Sequence, residues 1–288
     1  MKKIYLAVLV LFLLAGCGQS KEEVVVPNEK IEPIQEEQKT EIPQEPEKVS
    51  ETEVVLPKED TSTLSNKKIG WYFSRGKDHA KPTFGKDLTV PADKYDSIYL
   101  FPGEEKIIYL TFDEGYENGY TAQILDTLKE KNVKATFFIT GPYLNKEEEL
   151  VRRMVEEGHT VGNHTINHPS MPDCDDEKLE KEILDLDRKF YDTFGKSMKY
   201  LRPPMGEFSE RTLSISRSLG YTNVFWSFAY RDWEVDNQKG TQYAIDTVLS
   251  GLHPGEVMLL HAVSKDNANA LGTIIDEARK MGYEFGEL

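Results

Sequence analysis

The chain has 288 residues, room for one sizeable domain or two small ones. It carries 50 acidic against 35 basic side chains, a net charge of −15, which argues against nucleic acid or anionic lipid as a charge-driven partner. Its two cysteines, at positions 17 and 174, exclude a cysteine-based zinc site.

The first segment, "MKKIYLAVLVLFLLAGC", has two lysines, an apolar run and small residues before Cys17. That is the layout of a secretory signal, and the run Ile4 to Ala15 is too short to span a bilayer comfortably. "LAGC" resembles the lipobox of bacterial lipoproteins. The resemblance implies a signal peptide over residues 1–16 and a lipid on Cys17 that holds the protein at the membrane surface. With Cys17 so used, Cys174 stands alone and no internal disulfide is possible. Its acidic loop, "PDCDDE", raises a thiol's pKa and leaves it unreactive.

Residues 17–66 read as a stalk. From Gly18 to Ser65 there are 13 acidic residues against 5 lysines, five prolines and no aromatic residue. Such a stretch buries too little apolar surface to offset the entropy of ordering, and a disordered linker is expected. The first aromatic beyond the signal segment is Trp71, in "KKIGWYFSRG", so the folded part is expected to begin near Lys67. Residues 67–105 read as an extension packed on the main body.

From residue 106 to 288 two kinds of segment alternate. β-like apolar runs occur at "KIIYLTF", "VKATFFI", "HTVGN", "KYLR", "YTNVFW" and "EVMLLH". Helix-like stretches separate them, among them "EKLEKEILDLDRKFYDTF", where Leu179, Ile183, Leu186, Phe190 and Phe194 recur every three or four residues. Gly158, Gly195, Gly220 and Gly282 stand where helix C-caps belong. Repeated strand–helix units predict an α/β fold with parallel strands and outer helices, either a barrel or an open sheet. No GxGxxG and no P-loop occurs, so nothing points to a nucleotide.

Unusual polar groups gather where strand-like runs end. Asp113 and Glu114 follow "YLTF", His164 and His168 lie in "HTINH", Arg202 closes "KYLR", Asp232 and Trp233 follow "VFWSFAYR", and His261 ends "VMLLH". In a parallel barrel those ends share one face, where catalytic groups collect. Each has a bland alternative: a polar turn, surface histidines, an arginine fixing a turn, a hydrogen-bonded core histidine. Successive strand side chains point opposite ways, so Asp113 and Glu114 need not crowd one pocket. On a helical turn, His164 and His168 would share a face and could grip one ion.

In order, "TFDEG", "HTINH", "RPPMG", "DW" and "LLH" resemble the five motifs of the polysaccharide deacetylase family, the NodB-homology or carbohydrate esterase 4 group. The match runs from about residue 106 to 288. "YLTFDEGYENGYT", "NQKG" and "HAVSKDNANAL" are similar to the branch that deacetylates muramic acid on the way to the δ-lactam of spore peptidoglycan. The resemblance implies a distorted (β/α) barrel with fewer than eight strands. It also implies a hydrolase that removes N-acetyl groups from peptidoglycan glycan strands with a divalent metal, zinc being the expected ion. It assigns Asp113 as general base, Arg202 as the partner orienting it, His261 as general acid and Asp232 as the group keeping His261 charged. His164, His168 and Glu114 become the metal ligands, Met205 an oxyanion donor, and Trp233 and Leu260 apolar walls around the acetyl methyl. Two positions depart from the family pattern. Glu114 stands where Asp is usual, and Ala229 replaces the first acid of "DxxDW". Other readings keep the barrel: deacetylation of N-acetylglucosamine, chitin-like chains or acetylated xylan, and a non-catalytic wall-binding protein. A glycosidase fits poorly, because it needs carboxyls facing each other across the bond rather than neighbours in sequence.

Overall fold

The computed structural model describes residues 60–288. The signal segment, Cys17 and the acidic stretch up to residue 59 lie outside the described residues. The described residues begin at Asp60. A 3-10 turn, Thr61–Thr63, opens them, and polar contacts tie it down. Thr61 Oγ1 donates to Asp176 at 2.6 Å, Asn66 Nδ2 donates to the Pro172 carbonyl at 3.0 Å, and Ser209 Oγ donates to Asn66 Oδ1 at 2.9 Å.

In chain order the elements are β1 (Ile69–Gly70), α1 (Lys86–Lys94), β2 (Ile107–Glu114), α2 (Thr121–Lys131), β3 (Thr136–Ile139), α3 (Gly141–Lys146), α4 (Glu148–Glu156) and β4 (Thr160–Asn163). There follow α5 (Asp176–Phe194), β5 (Tyr200–Leu201), β6 (Glu207–Phe208), α6 (Glu210–Ser218) and β7 (Thr222–Asn223). The chain closes with α7 (Thr241–Gly251), β8 (Glu256–His261), α8 (Lys265–Lys280) and β9 (Glu284–Gly286). All six expected strands form. Helix α5 starts at an Asp175 cap that accepts from Lys178 N–H and ends at Gly195 in the left-handed conformation, φ 65°.

The strands lie parallel in the order β7-β5-β4-β3-β2-β8, with β9 paired to the start of β2. This sheet curls, and single bridges from residues 98–100 span its open side, Ile98 to Val224 and Leu100 to Glu256. The result is a distorted barrel with fewer strands than eight.

Strand alternation sorts the side chains into two cores. Ile108, Leu110 and Phe112 of β2, with Met258 and Leu260 of β8, face outward under the helices and join Leu179, Ile183 and Ile275. Phe138, Val224 and Val257 fill the barrel interior. The interior is narrow enough that a fully buried arginine, Arg202, stacks its guanidinium 4.2 Å from the Phe138 ring centroid.

The extension has a definite task. Its Trp71 stacks on Phe225 at 4.3 Å and packs with Leu88, Tyr95, Phe208 and Leu213 as a third core. Trp71 N–H donates to the Gly206 carbonyl at 2.9 Å, and its indole N–H donates to the Trp226 carbonyl at 2.8 Å. Gly206 has φ 65°, and a Cβ there would lie 2.7 Å from the Trp226 ring. Residues 67–105 therefore clamp the turn that follows Arg202. Among the described residues no helix is long and apolar enough to cross a membrane.

Candidate active site

Asp113, one residue before the end of β2, lies beside His261, the last residue of β8, and the two are directly paired in register. Arg202, just past β5, enters from below. Its Nη1 donates to Asp113 Oδ1 at 2.7 Å, its Nη2 to Thr111 Oγ1 at 2.8 Å and its Nε to the Val224 carbonyl at 3.2 Å. These bonds hold the carboxylate with Oδ2 free toward the cavity side, 3.5 Å from His164 Nε2. Burial alone would push the Asp113 carboxyl up; the Arg202 guanidinium, helped by His164 and His261, outweighs it and holds Asp113 below its ordinary value.

His164 Nδ1 lies 2.8 Å from the Arg202 carbonyl. That acceptor puts the imidazole proton on Nδ1 and leaves a lone pair on Nε2. Burial depresses the His164 pKa to about 4, and burial also lowers His168, so both rings are neutral near pH 7. Their centroids are 4.7 Å apart. The helical turn expected here is absent. Thr165 and His168 both take positive φ, at 65° and 57°, and Thr165 Oγ1 accepts from the His168 N–H at 3.0 Å. A left-handed loop, not helical spacing, brings the rings together.

His261 Nδ1 donates to Asp232 Oδ1 at 2.7 Å, and its backbone N–H donates to Oδ2 at 2.8 Å. Burial works against the charged imidazole, but the Asp232 carboxylate raises its pKa above the ordinary histidine value. Asp232 is itself held by Asn267 Nδ2 at 2.6 Å. Asn267 in turn accepts a short hydrogen bond from the Tyr230 hydroxyl. Sequence reasoning missed Asn267 and Gln238, whose Nε2 donates to the Asp232 carbonyl at 2.9 Å. Their one signal lay in "NQKG" and "NAN", polar residues just before and within helices.

Asp113, His164, His168 and His261 line one cavity of about 750 Å³. Its rim carries Met205, Tyr116 and Trp233, all about half exposed, with Ala229, Tyr230 and Arg231 along one wall. Trp233 stands 5.4 Å from the His261 ring, centroid to centroid. Met205 has φ 59°, a strained conformation for a side-chain-bearing residue, inside the "RPPMG" turn.

Two expectations fail. Leu260 does not line the cavity: it is fully buried in the outer core, and Leu259, one residue earlier on the face shared with His261, takes its place. Glu114 does not join the histidines. It is fully buried, both carboxyl oxygens lack a hydrogen-bond partner, and it is not among the cavity-lining residues. Burial, then the charges of Glu117 and Asp113, push its pKa well above the ordinary range, so it stays protonated. The alternation that turns Asp113 inward turns Glu114 outward. Among the described residues no three His, Cys, Asp or Glu side chains are grouped to hold an ion. His164 and His168 alone have the required chemistry, two neutral imidazoles side by side, with His164 fixed in the tautomer that presents Nε2.

A family profile described as polysaccharide deacetylase matches residues 102–224. Among curated relatives, the peptidoglycan-N-acetylmuramic acid deacetylase PdaA of Bacillus subtilis is 45% identical over 223 residues, 77% of this chain and 85% of that one. A peptidoglycan-N-acetylglucosamine deacetylase of Bacillus cereus is 36% identical over 189 residues, 64% of this chain and 87% of that one. The solved structure of Bacillus subtilis PdaA, described as a family 4 carbohydrate esterase, superposes with a TM-score of 0.76 at 44% identity, covering 78% of this chain and 96% of that one.

Proposed function

The chain belongs to the polysaccharide deacetylase family, and on that premise we propose that it hydrolyses the N-acetyl group of N-acetylmuramic acid in peptidoglycan. The freed amine then attacks the lactyl carboxyl carbon, and the carboxyl oxygen leaves as water to give a δ-lactam. The observation that carries the reading is the pairing of an ionised Asp113 with a protonatable His261 across one cavity.

Amide hydrolysis needs a proton taken from water and a proton given to the leaving amine. Asp113, held ionised by Arg202, takes the first through its free Oδ2. His261, kept charged by Asp232, delivers the second. Trp233 and Leu259 enclose the acetyl methyl, and the backbone at Met205 faces the acetyl oxygen as a donor. The carbohydrate esterase 4 family is metal-dependent, and His164 and His168 are the residues that would hold a divalent ion such as zinc here, without Glu114. When bound, it supplies a polarised water and a positive charge for the oxyanion. At its N-terminal end, cleavage before Cys17 and lipidation of that thiol would set the domain on the outer membrane face within reach of the wall.

The test is incubation of the protein with peptidoglycan, with and without prior amidase treatment, followed by mass analysis of the muropeptides. Loss of acetyl from muramic residues, with chain length unchanged, is the expected result. Acetyl loss from glucosamine alone would refute the substrate, and shortened glycans would refute the reaction.

A further inference from the structure

The cavity's charges are unevenly committed. Asp113 is neutralised by Arg202, and burial keeps His164 and His168 uncharged. Asp232 is 2% exposed and turned to His261 and Asn267. One permanent cation on the lining reaches open solvent, Arg231, whose side chain is 72% exposed. It pairs with Glu234 at 3.5 Å on the surface, a geometry that holds an ion pair only weakly. Two residues before it, Ala229 lines the same wall and brings no carboxylate. A protein of net charge −15 thus sets a weakly paired guanidinium at the mouth of the cavity.

We propose that Arg231 is a specificity residue that binds the free lactyl carboxylate of the muramic acid ring whose acetamide enters the cavity. The assignment rests on the muramic reading above. On that sugar the acetamide and the lactyl ether sit on adjacent ring carbons, so a ring presenting its acetyl group to Asp113 carries its carboxylate to the rim. Guanidinium and carboxylate match as a bidentate pair. N-acetylglucosamine has only a hydroxyl at that carbon and gains nothing. While a stem peptide is attached, the lactyl carboxyl is an amide and carries no charge. Arg231 therefore supplies a physical reason for the order of reactions: an amidase-type cleavage must come first.

The experiment uses the full chain on three substrates: amidase-treated glycan strands, the same strands with lactyl carboxyls converted to methyl esters, and chitooligosaccharide. Acetate release is followed for the parent protein and for Arg231→Gln, Arg231→Lys and Glu234→Gln. Arg231→Gln should raise KM on the charged glycan about ten- to a hundredfold, the size of a lost hydrogen bond to a charged group, with kcat little changed. It should leave KM on the ester and on chitooligosaccharide unchanged. Arg231→Lys should recover part of the loss, and Glu234→Gln should lower KM by freeing the guanidinium. An unchanged KM on the charged glycan, or an equal loss on all three substrates, would overturn the assignment. If the parent protein itself releases no acetate from amidase-treated glycan, the muramic reading fails and this assignment falls with it, before any variant is compared.

Discussion

Asp232→Asn isolates the link between a buried carboxylate and the proton that His261 delivers. In the native site Asp232 Oδ1 meets the His261 Nδ1–H at 2.7 Å, while Oδ2 accepts from the His261 backbone N–H at 2.8 Å and from Asn267 Nδ2 at 2.6 Å. An asparagine has one acceptor for these three donors. Placing its oxygen in the Oδ2 position satisfies two of them and turns its NH2 toward Nδ1. Nδ1 can meet that NH2 only as an acceptor, which means a neutral imidazole. The variant thus exchanges a charge-assisted hydrogen bond that favours imidazolium for one that excludes it. A hydrogen bond to a charged group contributes about 1.5–3 kcal/mol, or about one to two pH units at 1.36 kcal/mol each. In the proposed role His261 must be protonated to act, and its pKa is raised in the native protein, so activity should be present below that pKa and lost as pH rises through it. The alkaline limb of kcat for acetate release should move down by about one to two pH units, so that activity above the native limb falls about ten- to a hundredfold. Activity should partly return on the acid side, above the Asp113 limb. An alkaline limb that stays in place, with a uniform drop at every pH, would refute the proton-donor role of His261.

Arg202→Met leaves the buried Asp113 without its cation and should cost about 3–5 kcal/mol of unfolding free energy in urea. In the native protein Asp113 is depressed, so its contribution is present above its unfolded pKa and lost as pH falls through its lower folded value. The variant reverses the sign, and its acid limb of activity should move to higher pH; a stability loss below about 1 kcal/mol would contradict the pairing. Glu114→Gln should leave zinc affinity unchanged in a chelator competition, whereas His164→Ala should weaken it strongly; an equal effect would restore Glu114 as a ligand. Because Glu114 is raised, its protonated form stabilises the fold fully below its unfolded pKa, and that contribution is lost as pH rises toward the folded value. Thermal midpoints of Glu114→Gln should therefore gain on the native protein as pH increases from about 4.5, the ordinary glutamate range. Chelation should lower acetate release and zinc should restore it, and indifference to both would remove the metal from the reaction.

The barrel was legible because the signals were local. Each parallel strand is a short apolar run, and each helix that separates them has its own stripe and cap. What escaped was structure made by pairing at a distance. The strand pair β1–β6, the bridges at Ile98 and Leu100, and the anchors at Thr61 and Asn66 join residues far apart in sequence with almost no apolar pattern. The task of residues 67–105 was invisible for the same reason. Trp71 announces a core, but only the fold shows that this core closes on Gly206 beneath the "RPPMG" turn.

The site was legible in kind and not in orientation. Motif order brings Asp113, Arg202, Asp232 and His261 together, Arg202 bonded to Asp113 and His261 to Asp232. Orientation follows the strand's period of two, and there the motif reading slipped twice. Leu260 and Glu114 each belong to a correct motif, yet each faces away from the cavity, while neighbours Leu259 and Asp113 face into it. A rule that His261 faces the cavity would by itself have placed Leu259 inside and Leu260 outside. Applied to Asp113, it would have removed Glu114 from the ligand set, leaving the ion to His164 and His168. The free carboxyl oxygens of Glu114 are the physical sign of that displacement, because a ligand turned away from its ion is an acid that must stay protonated to remain buried.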